Sequence, residues 1–313
     1  MNKGLAALCG TLLLCACSGG GSGTVNAPGP NTGGGSGGSP TPTPSPSPVS
    51  YQKFSELAGN QDFEAGCGKL SFYLAGPQLP APFLQAPIGQ SHILYDSNAK
   101  TYTFTGMENT SFGPGDLLSD NPPSYSKAVG ANQSSLLLIR PSIAGGAFEY
   151  ARAAFVSTQT TIQYSMTSCV YGVFTKVDDL FSGSGTTYAR NMAVSSTTFV
   201  VTPGQYVNYS LDKSQVSFKT DLNARTVTIT IRLSGKAGSG PDTDFGSYTG
   251  NGTIDRNNGT FAGNFVDTGG STVGFFQGTF FGPQGVEYGL NFGIAGKQGS
   301  ADVYSTGTLF GAR

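Results

Sequence analysis

The segment from Tyr248 to Ile294 alternates aromatic residues with glycines in short runs that are separated by turn-forming residues. Each run has the two-residue period of a β-strand, which places every second side chain on the same face of a sheet. Asn257, Asn258 and Gly259 favour one tight turn, and Gly282 to Gly285 favour the next. Glycines usually weaken strands, so their recurrence among aromatic residues predicts a small sheet that bends sharply and closes into a barrel.

The same strand pattern extends over residues 181–313. Further strands are expected at Thr186 to Val194, Tyr206 to Leu211 and Val286 to Ile294, and in the preceding part of the chain at Gly68 to Leu74. Its clearest example runs from Arg225 to Leu233, where Val227, Ile229 and Ile231 share one face with Leu233. The segments of this part give eight or nine strands, and eight enclose an interior that side chains fill or that holds one small ligand. We therefore expect an all-β chain in which residues 181–313 form an eight-stranded antiparallel β-barrel.

The hairpin from Gly278 to Gly289 reads G-T-F-F-G-P-Q-G-V-E-Y-G. It resembles the G-x-F-x-G-P-x-A-x-E-x-G-G signature in the C-terminal β-barrel of the transferrin-binding protein B family. Gly285 stands where the family often has alanine, and a single Gly289 replaces the Gly-Gly pair. Residues 51–180 are similar, through shorter motifs such as Phe148 to Tyr150 and Cys169 to Thr175, to the N-terminal handle of single-lobe relatives. The resemblance implies a β-rich handle-like domain before the barrel.

The family resemblance also implies a function. It implies capture of a host or environmental macromolecule, or of an iron or haem source, without catalysis. Relatives that bind transferrin carry two handle–barrel lobes, whereas this chain has one lobe with short loops. A structural envelope lipoprotein with no diffusible ligand is the alternative, and an enzyme with an unfamiliar site is a third hypothesis.

Residues 1–16 have the pattern of a lipoprotein signal peptide. Lys3 gives the positive flank, and the apolar run from Leu5 to Ala16 is shorter than the ~20 residues that span a bilayer. Leu14 to Cys17 resembles a bacterial lipobox, in which Cys17 is the residue that is acylated, while an ordinary secretory signal is the alternative. Two or more acyl chains, such as palmitate, give stable anchoring. Ser18 resembles the sorting pattern for the outer membrane.

Residues 17–50 form a linker of low complexity. Its first part is rich in glycine and serine, and Pro40 to Pro48 alternates proline with serine and threonine. The first part is typical of a disordered coil, and the second of a polyproline II spacer that extends ~3.1 Å per residue. The proline run could also be a docking ligand, but it has no basic or aromatic neighbour. The linker predicts a lipid-anchored domain held away from the membrane, with possible surface exposure.

Only two cysteines, Cys67 and Cys169, lie beyond the signal and the lipobox. Cysteine pairs in the oxidising cell envelope usually form disulfides, so we expect one bond between them, closing a loop of about 100 residues. Two buried free thiols are the alternative.

Composition excludes several classes of function. The formal net charge is −1 and only 11% of residues are charged, so no basic surface for nucleic acid is expected. There is one histidine and no sequence motif of a common hydrolase or zinc enzyme, so we expect no enzyme, no metal and no cofactor. Three sets of polar residues could have a function or could be ordinary surface and turn residues. The functional interpretations are haem ligands for His92 and Tyr95, calcium ligands for Asp242, Asp244 and Asp255, and paired acids for Asp178 and Asp179.

Ligand binding is expected in the connecting segments, because side chains that alternate along strands are committed to the core. The best candidates are Pro77 to Pro87 and Gly113 to Pro123, which are stiffened by proline. They carry or adjoin Phe83 and Phe112, whose rings are expected to be exposed. The alternative is that these loops only cover the handle sheet. We expect a monomer whose partners are the membrane, through its lipid anchor, and a host protein or a haem or iron source.

Overall fold

A computed structural model describes the chain from residue 50 to 313, except for residues 74–80, 145, 182–184, 190–192 and 203–204. Both sheets of the described part belong to one compact unit, Pro48–Arg313. The predicted signal peptide, Cys17 and the linker lie outside the described residues, apart from residue 50. No helix in the described part is long and apolar enough to cross a membrane.

The first sheet has nine antiparallel strands in the spatial order β4-β3-β2-β1-β11-β10-β7-β6-β5. These are β1 (Gln61–Tyr73), β2 (Ala81–Asp96), β3 (Thr101–Thr105), β4 (Thr110–Phe112), β5 (Leu117–Asp120), β6 (Pro123–Val129), β7 (Asn132–Ile139), β10 (Ala151–Gln159) and β11 (Gln163–Gly172). Two short strands, β8 (Ser142–Ile143) and β9 (Gly146–Ala147), form a separate hairpin.

The first sheet curls around its own core. Its buried side chains include Phe63, Ile93, Phe104, Leu136, Val156 and Tyr171, which come from strands throughout the sheet. Two contacts show that its edges, β3–β4 and β5–β6, approach each other. The Tyr102 and Tyr125 rings are 5.9 Å apart, and the Lys127 ammonium lies 4.8 Å from the centre of the Phe112 ring. Side chains therefore join the edges of this sheet.

The second sheet has ten antiparallel strands in the order β12-β15-β16-β17-β18-β19-β20-β21-β13-β14. These are β12 (Thr186–Ala189), β13 (Ala193–Thr202), β14 (Gln205–Ser210), β15 (Gln215–Asp221), β16 (Thr226–Gly235), β17 (Thr243–Ile254), β18 (Phe261–Val266), β19 (Thr272–Phe281), β20 (Glu287–Gln298) and β21 (Ala301–Ala312). The remaining elements are one short helix, α1 (Val177–Leu180), and three 3-10 turns, Phe54–Glu56, Pro114–Asp116 and Pro283–Gly285.

The all-β class, the β-rich N-terminal part and the curled C-terminal sheet are confirmed, but the described C-terminal sheet has ten strands where eight or nine were expected. Thr186 to Val194 was expected to be one strand, but β12 lies at one end of the sheet order and β13 lies next to its other end. Only four residue steps separate Ala189 from Ala193, so these strands are at most ~14 Å apart. Ser210 and Lys236 form a further bridge between opposite ends of the sheet order. The sheet thus bends back on itself.

The interior of the second sheet is filled by large apolar side chains. Its fully buried members include Phe218, Phe261, Phe265, Phe276, Phe280, Tyr288 and Phe292. The Phe218 and Tyr288 rings stack with their centres 4.3 Å apart. The side chains described here thus form a packed core at the centre of the sheet.

The two sheets pack on each other through β1 and β11 of the first and β19, β20 and β21 of the second. Glycine permits the close approach: a Cβ atom on Gly68 would lie 3.1 Å from Oδ1 of the buried Asn291 side chain. Nearby, Nε2 of Gln277 donates hydrogen bonds to the carbonyl oxygens of Cys67 (3.1 Å) and Ala86 (2.5 Å). Polar contacts therefore form part of the interface between the two sheets. The domain boundary between residues 180 and 181 stays a prediction.

Candidate functional site

The two predicted disulfide cysteines lie opposite each other on paired strands. Cys67 of β1 is in register with Cys169 of β11, and the structure bonds their sulfur atoms. Both side chains are buried in the core of the first sheet. The bond links residues that are 102 positions apart in the sequence.

Of the two predicted ligand-binding phenylalanines, the structure describes the side chain of Phe112 alone. Phe112 is fully buried in the first core, so the expectation that its ring is exposed is wrong. It ends β4, where burial against Tyr125 helps to hold the sheet edges together. The side chain of Phe83 lies outside the described residues, and its backbone belongs to β2, although a loop was predicted there. In the other candidate segment, the exposed apolar side chains are Leu117 and Leu118.

His92 and Tyr95 do not converge on a common ligand. They are three residues apart on β2, so their side chains point to opposite faces of the sheet. Nδ1 of His92 lies 2.7 Å from a carboxylate oxygen of Asp62, and this hydrogen bond raises the histidine pKa. The Tyr95 ring instead packs on Tyr102. This arrangement is that of an ordinary surface histidine.

Three of the predicted aspartates have structural partners. Asp244 forms an ion pair with Arg232, Asp255 accepts a hydrogen bond from the Asn257 amide at 2.9 Å, and Asp179 accepts one from the Gln284 amide at 2.7 Å. Within the described ranges, no group of three or more His, Cys, Asp or Glu side chains is arranged to hold a metal ion.

The hairpin that carries the family-like motif docks the first sheet onto the second. Glu287, at the start of β20, is only 7% exposed. Its carboxylate accepts hydrogen bonds from three consecutive backbone amides: those of Glu149 at 2.6 Å, Tyr150 at 2.9 Å and Ala151 at 2.9 Å. Three N–H donors on one carboxylate form a charge-assisted contact. This glutamate therefore holds the start of β10 against the hairpin.

Two further contacts fix the same junction. Backbone hydrogen bonds join the Gly282 amide to the Val173 carbonyl and the Thr175 amide to the Phe280 carbonyl, both at 2.9 Å. Gly282 has a φ of 71°, and a Cβ atom there would lie 2.5 Å from Cδ2 of Tyr150. Glycine is required at this position by both its backbone angle and its neighbour. The motif thus serves the packing of the two sheets.

Four aromatic rings from both sheets form a cluster at the opposite end of the interface. The aromatic cluster consists of Phe72 of β1, Tyr164 of β11, Phe199 of β13 and Tyr206 of β14. The Tyr206 ring centre lies 4.9 Å from that of Phe72, 6.2 Å from Tyr164 and 6.0 Å from Phe199. Burial raises the pKa of Tyr164, so its hydroxyl stays neutral.

The aromatic cluster is open to solvent on one side. Phe72 and Phe199 are buried, whereas Tyr206 is 37% exposed. Three more apolar side chains are exposed in neighbouring segments: Tyr73 at the end of β1, Ile162 in the turn before β11, and Val207 beside Tyr206. This end therefore presents apolar surface above a firmly packed base, which is a recurring feature of protein-binding sites.

The sequence contains local signals for the aromatic cluster but not for its assembly. Phe72 lies in a strand predicted from Gly68 to Leu74, and Tyr206 begins another predicted strand. Phe199 lies in a segment for which no strand was predicted. The rings meet only because the two sheets pack on each other, and periodicity within one strand carries no information about that packing.

No protein-family model matches this sequence, and no curated protein is significantly similar to it. Among solved structures, the chain is similar to a double mutant of the vaccine antigen transferrin-binding protein B from Haemophilus parasuis. That match has a TM-score of 0.44 and 16% identity, and it covers 80% of this chain and 44% of the other. This chain thus spans less than half the length of that protein.

Two further structures are similar. Intact Ap-TbpB, with its N and C lobes, matches with a TM-score of 0.36 and 10% identity, covering 82% of this chain and 78% of the other. HpuA from Kingella denitrificans, solved in complex with human haemoglobin, matches with a TM-score of 0.30 and 14% identity, covering 81% and 88%.

Proposed function

We propose that this protein is a lipid-anchored outer-membrane lipoprotein that binds a host or environmental protein without changing it chemically. The observation that carries the proposal is the aromatic cluster with its exposed Tyr206. Rings that are fixed by their neighbours lose little conformational entropy on binding, and tyrosine is enriched at the energetic centres of interfaces. Binding of a haem or iron source is the related possibility that the family resemblance implies.

The position of the aromatic cluster suits a partner that approaches from outside. Phe54, close to where the described chain begins, stacks on Phe63 with ring centres 5.1 Å apart. Phe72 lies nine residues further along β1, which corresponds to ~30 Å of extended strand. The described chain therefore enters β1 at one end, and the aromatic cluster lies at the other end of this strand.

The filled interior of the second sheet favours a second candidate, a structural envelope lipoprotein without a diffusible ligand. Phe265, Phe276 and Phe292 occupy the centre, where a small ligand would otherwise be held. Binding would then have to occur on the outer surface. The two candidates differ in whether the exposed aromatic cluster has a partner.

Capture by the immobilised protein distinguishes these candidates. The full chain carrying Cys17→Ala is incubated in parallel with host fluid, growth medium and haem, and retained species are identified by mass spectrometry. We expect one retained protein whose binding falls roughly tenfold or more in Tyr206→Ala, because aromatic hot spots contribute ~2 kcal/mol or more. The matched control is Tyr95→Ala, a tyrosine on β2 that pairs with Gln61 at the other end of β1.

An immobilised β-barrel protein of unrelated sequence serves as the background control. If this chain retains nothing more than that control does, the structural candidate is favoured. Equal retention by the wild type and Tyr206→Ala would place the binding surface elsewhere.

Anchoring through Cys17 is tested separately. Cys17→Ala should move the protein from the membrane fraction to the soluble fraction, because the acyl chains supply the membrane affinity. Wild-type protein should also take up labelled palmitate. A membrane-bound Cys17→Ala variant together with an unlabelled wild type would contradict the lipoprotein assignment.

A further inference from the structure

A cavity lies at the junction of the two sheets, on the side away from the aromatic cluster. It has a volume of about 340 Å³ and is lined by Ile143, Gly146, Ala147, Phe148, Glu287, Ala312 and Arg313. The β8–β9 hairpin forms one wall, and the end of β21 forms another. Cavities of this size lie at the lower end of the range that holds small ligands.

The two charged side chains of this cavity, Glu287 and Arg313, differ in how many partners they already have. Glu287 is negative, but its two oxygens already accept three backbone N–H groups. Arg313 donates from Nη1 to the Gln284 carbonyl at 2.7 Å, and none of the ion pairs in the described part of the chain includes it. Arg313 lies at the exposed rim of the cavity, where partial desolvation lowers its pKa. A guanidinium with this partner set retains donors for an anion.

The remaining walls are apolar. Phe148 is buried and packs edge-on against Phe310, with ring centres 5.9 Å apart. Ile143 and Ala312 pack against the same group of side chains. An occupant that satisfies both parts of the cavity needs an apolar body and one anionic end.

We propose that this cavity binds a small amphipathic carboxylate, such as a medium-chain fatty acid, with the carboxylate on Arg313 and the alkyl chain against Phe148 and Ile143. An arginine fork matches the geometry of a carboxylate and binds it with two parallel hydrogen bonds. This site is separate from the aromatic cluster, so it does not depend on the proposed protein partner.

Octanoate is the probe for this site, and isothermal titration with the full Cys17→Ala chain is the measurement. That form carries no acyl chain that would compete. We expect octanoate to bind more tightly than octanol or octylamine. Arg313→Gln should weaken octanoate binding roughly tenfold or more, since the charge-assisted hydrogen bonds to the carboxylate are lost. The matched control is Arg256→Gln, which alters an exposed arginine that does not line the cavity.

NMR of the unsubstituted site keeps the test independent of how Arg313→Gln folds. Octanoate should shift the methyl resonances of Ile143 and the ring resonances of Phe148. Absence of these shifts, or equal octanoate affinity in Arg313→Gln and Arg256→Gln, would overturn the proposal.

Discussion

Replacing Glu287 by alanine is expected to lower the free energy of unfolding by about 3–5 kcal/mol. The substitution removes the acceptor for the amides of Glu149, Tyr150 and Ala151, and it leaves these donors without their partner at the junction of the two sheets. A buried donor without an acceptor costs ~1–3 kcal/mol. Denaturant unfolding followed by circular dichroism measures the change.

Two variants calibrate this result. Glu287→Gln keeps the shape and one carbonyl acceptor, so it should lose less than Glu287→Ala. Glu64→Ala removes an exposed glutamate from β1 and should change the free energy of unfolding by no more than ~0.5 kcal/mol. A loss below about 1 kcal/mol in Glu287→Ala would show that the hairpin motif does not hold the sheets together.

The second large effect is expected from the disulfide. Replacing both Cys67 and Cys169 by alanine should destabilise the protein by about 4 kcal/mol, since a bond that closes a loop of this length removes up to ~4.7 kcal/mol of chain entropy from the unfolded state. The two positions are register partners on β1 and β11, so the strands remain paired in the native fold without the bond.

Peptide mapping without reduction checks the bond itself, and denaturant unfolding of the double variant gives its contribution. The reduced wild type serves as the control, because it lacks the bond and keeps both side chains. Alkylation of both thiols in the folded, unreduced protein would remove the disulfide from this account.

The strands of the C-terminal sheet were predicted best, because each carries its own alternation of buried and exposed side chains. The predicted strand from Arg225 to Leu233 corresponds to β16 (Thr226–Gly235). The predicted strand from Val286 to Ile294 corresponds to the first part of β20 (Glu287–Gln298). Alternation does not reveal where a chain passes from one edge of a sheet to the other. For this reason, the separation of β12 from β13 was missed.

The candidate sites depend on contacts between distant segments, and the sequence predicted them poorly. Phe112 was expected to be exposed because it adjoins a segment rich in glycine and proline, but the curling of the first sheet buries it. Glu287 was noticed only as part of a family-like motif, and its role follows from the approach of residues 149–151. The aromatic cluster likewise combines strands that are more than 100 residues apart in the chain.

Hydrogen exchange of the captured complex tests most directly whether this protein binds its partner at the end of β1 that carries the aromatic cluster. The full Cys17→Ala chain is compared with and without the retained protein, and amide protection is mapped onto the sequence. We predict added protection at the end of β1, in the turn around Ile162 and along β14. Protection confined to other surfaces, with β14 and the Ile162 turn unchanged, would contradict the account.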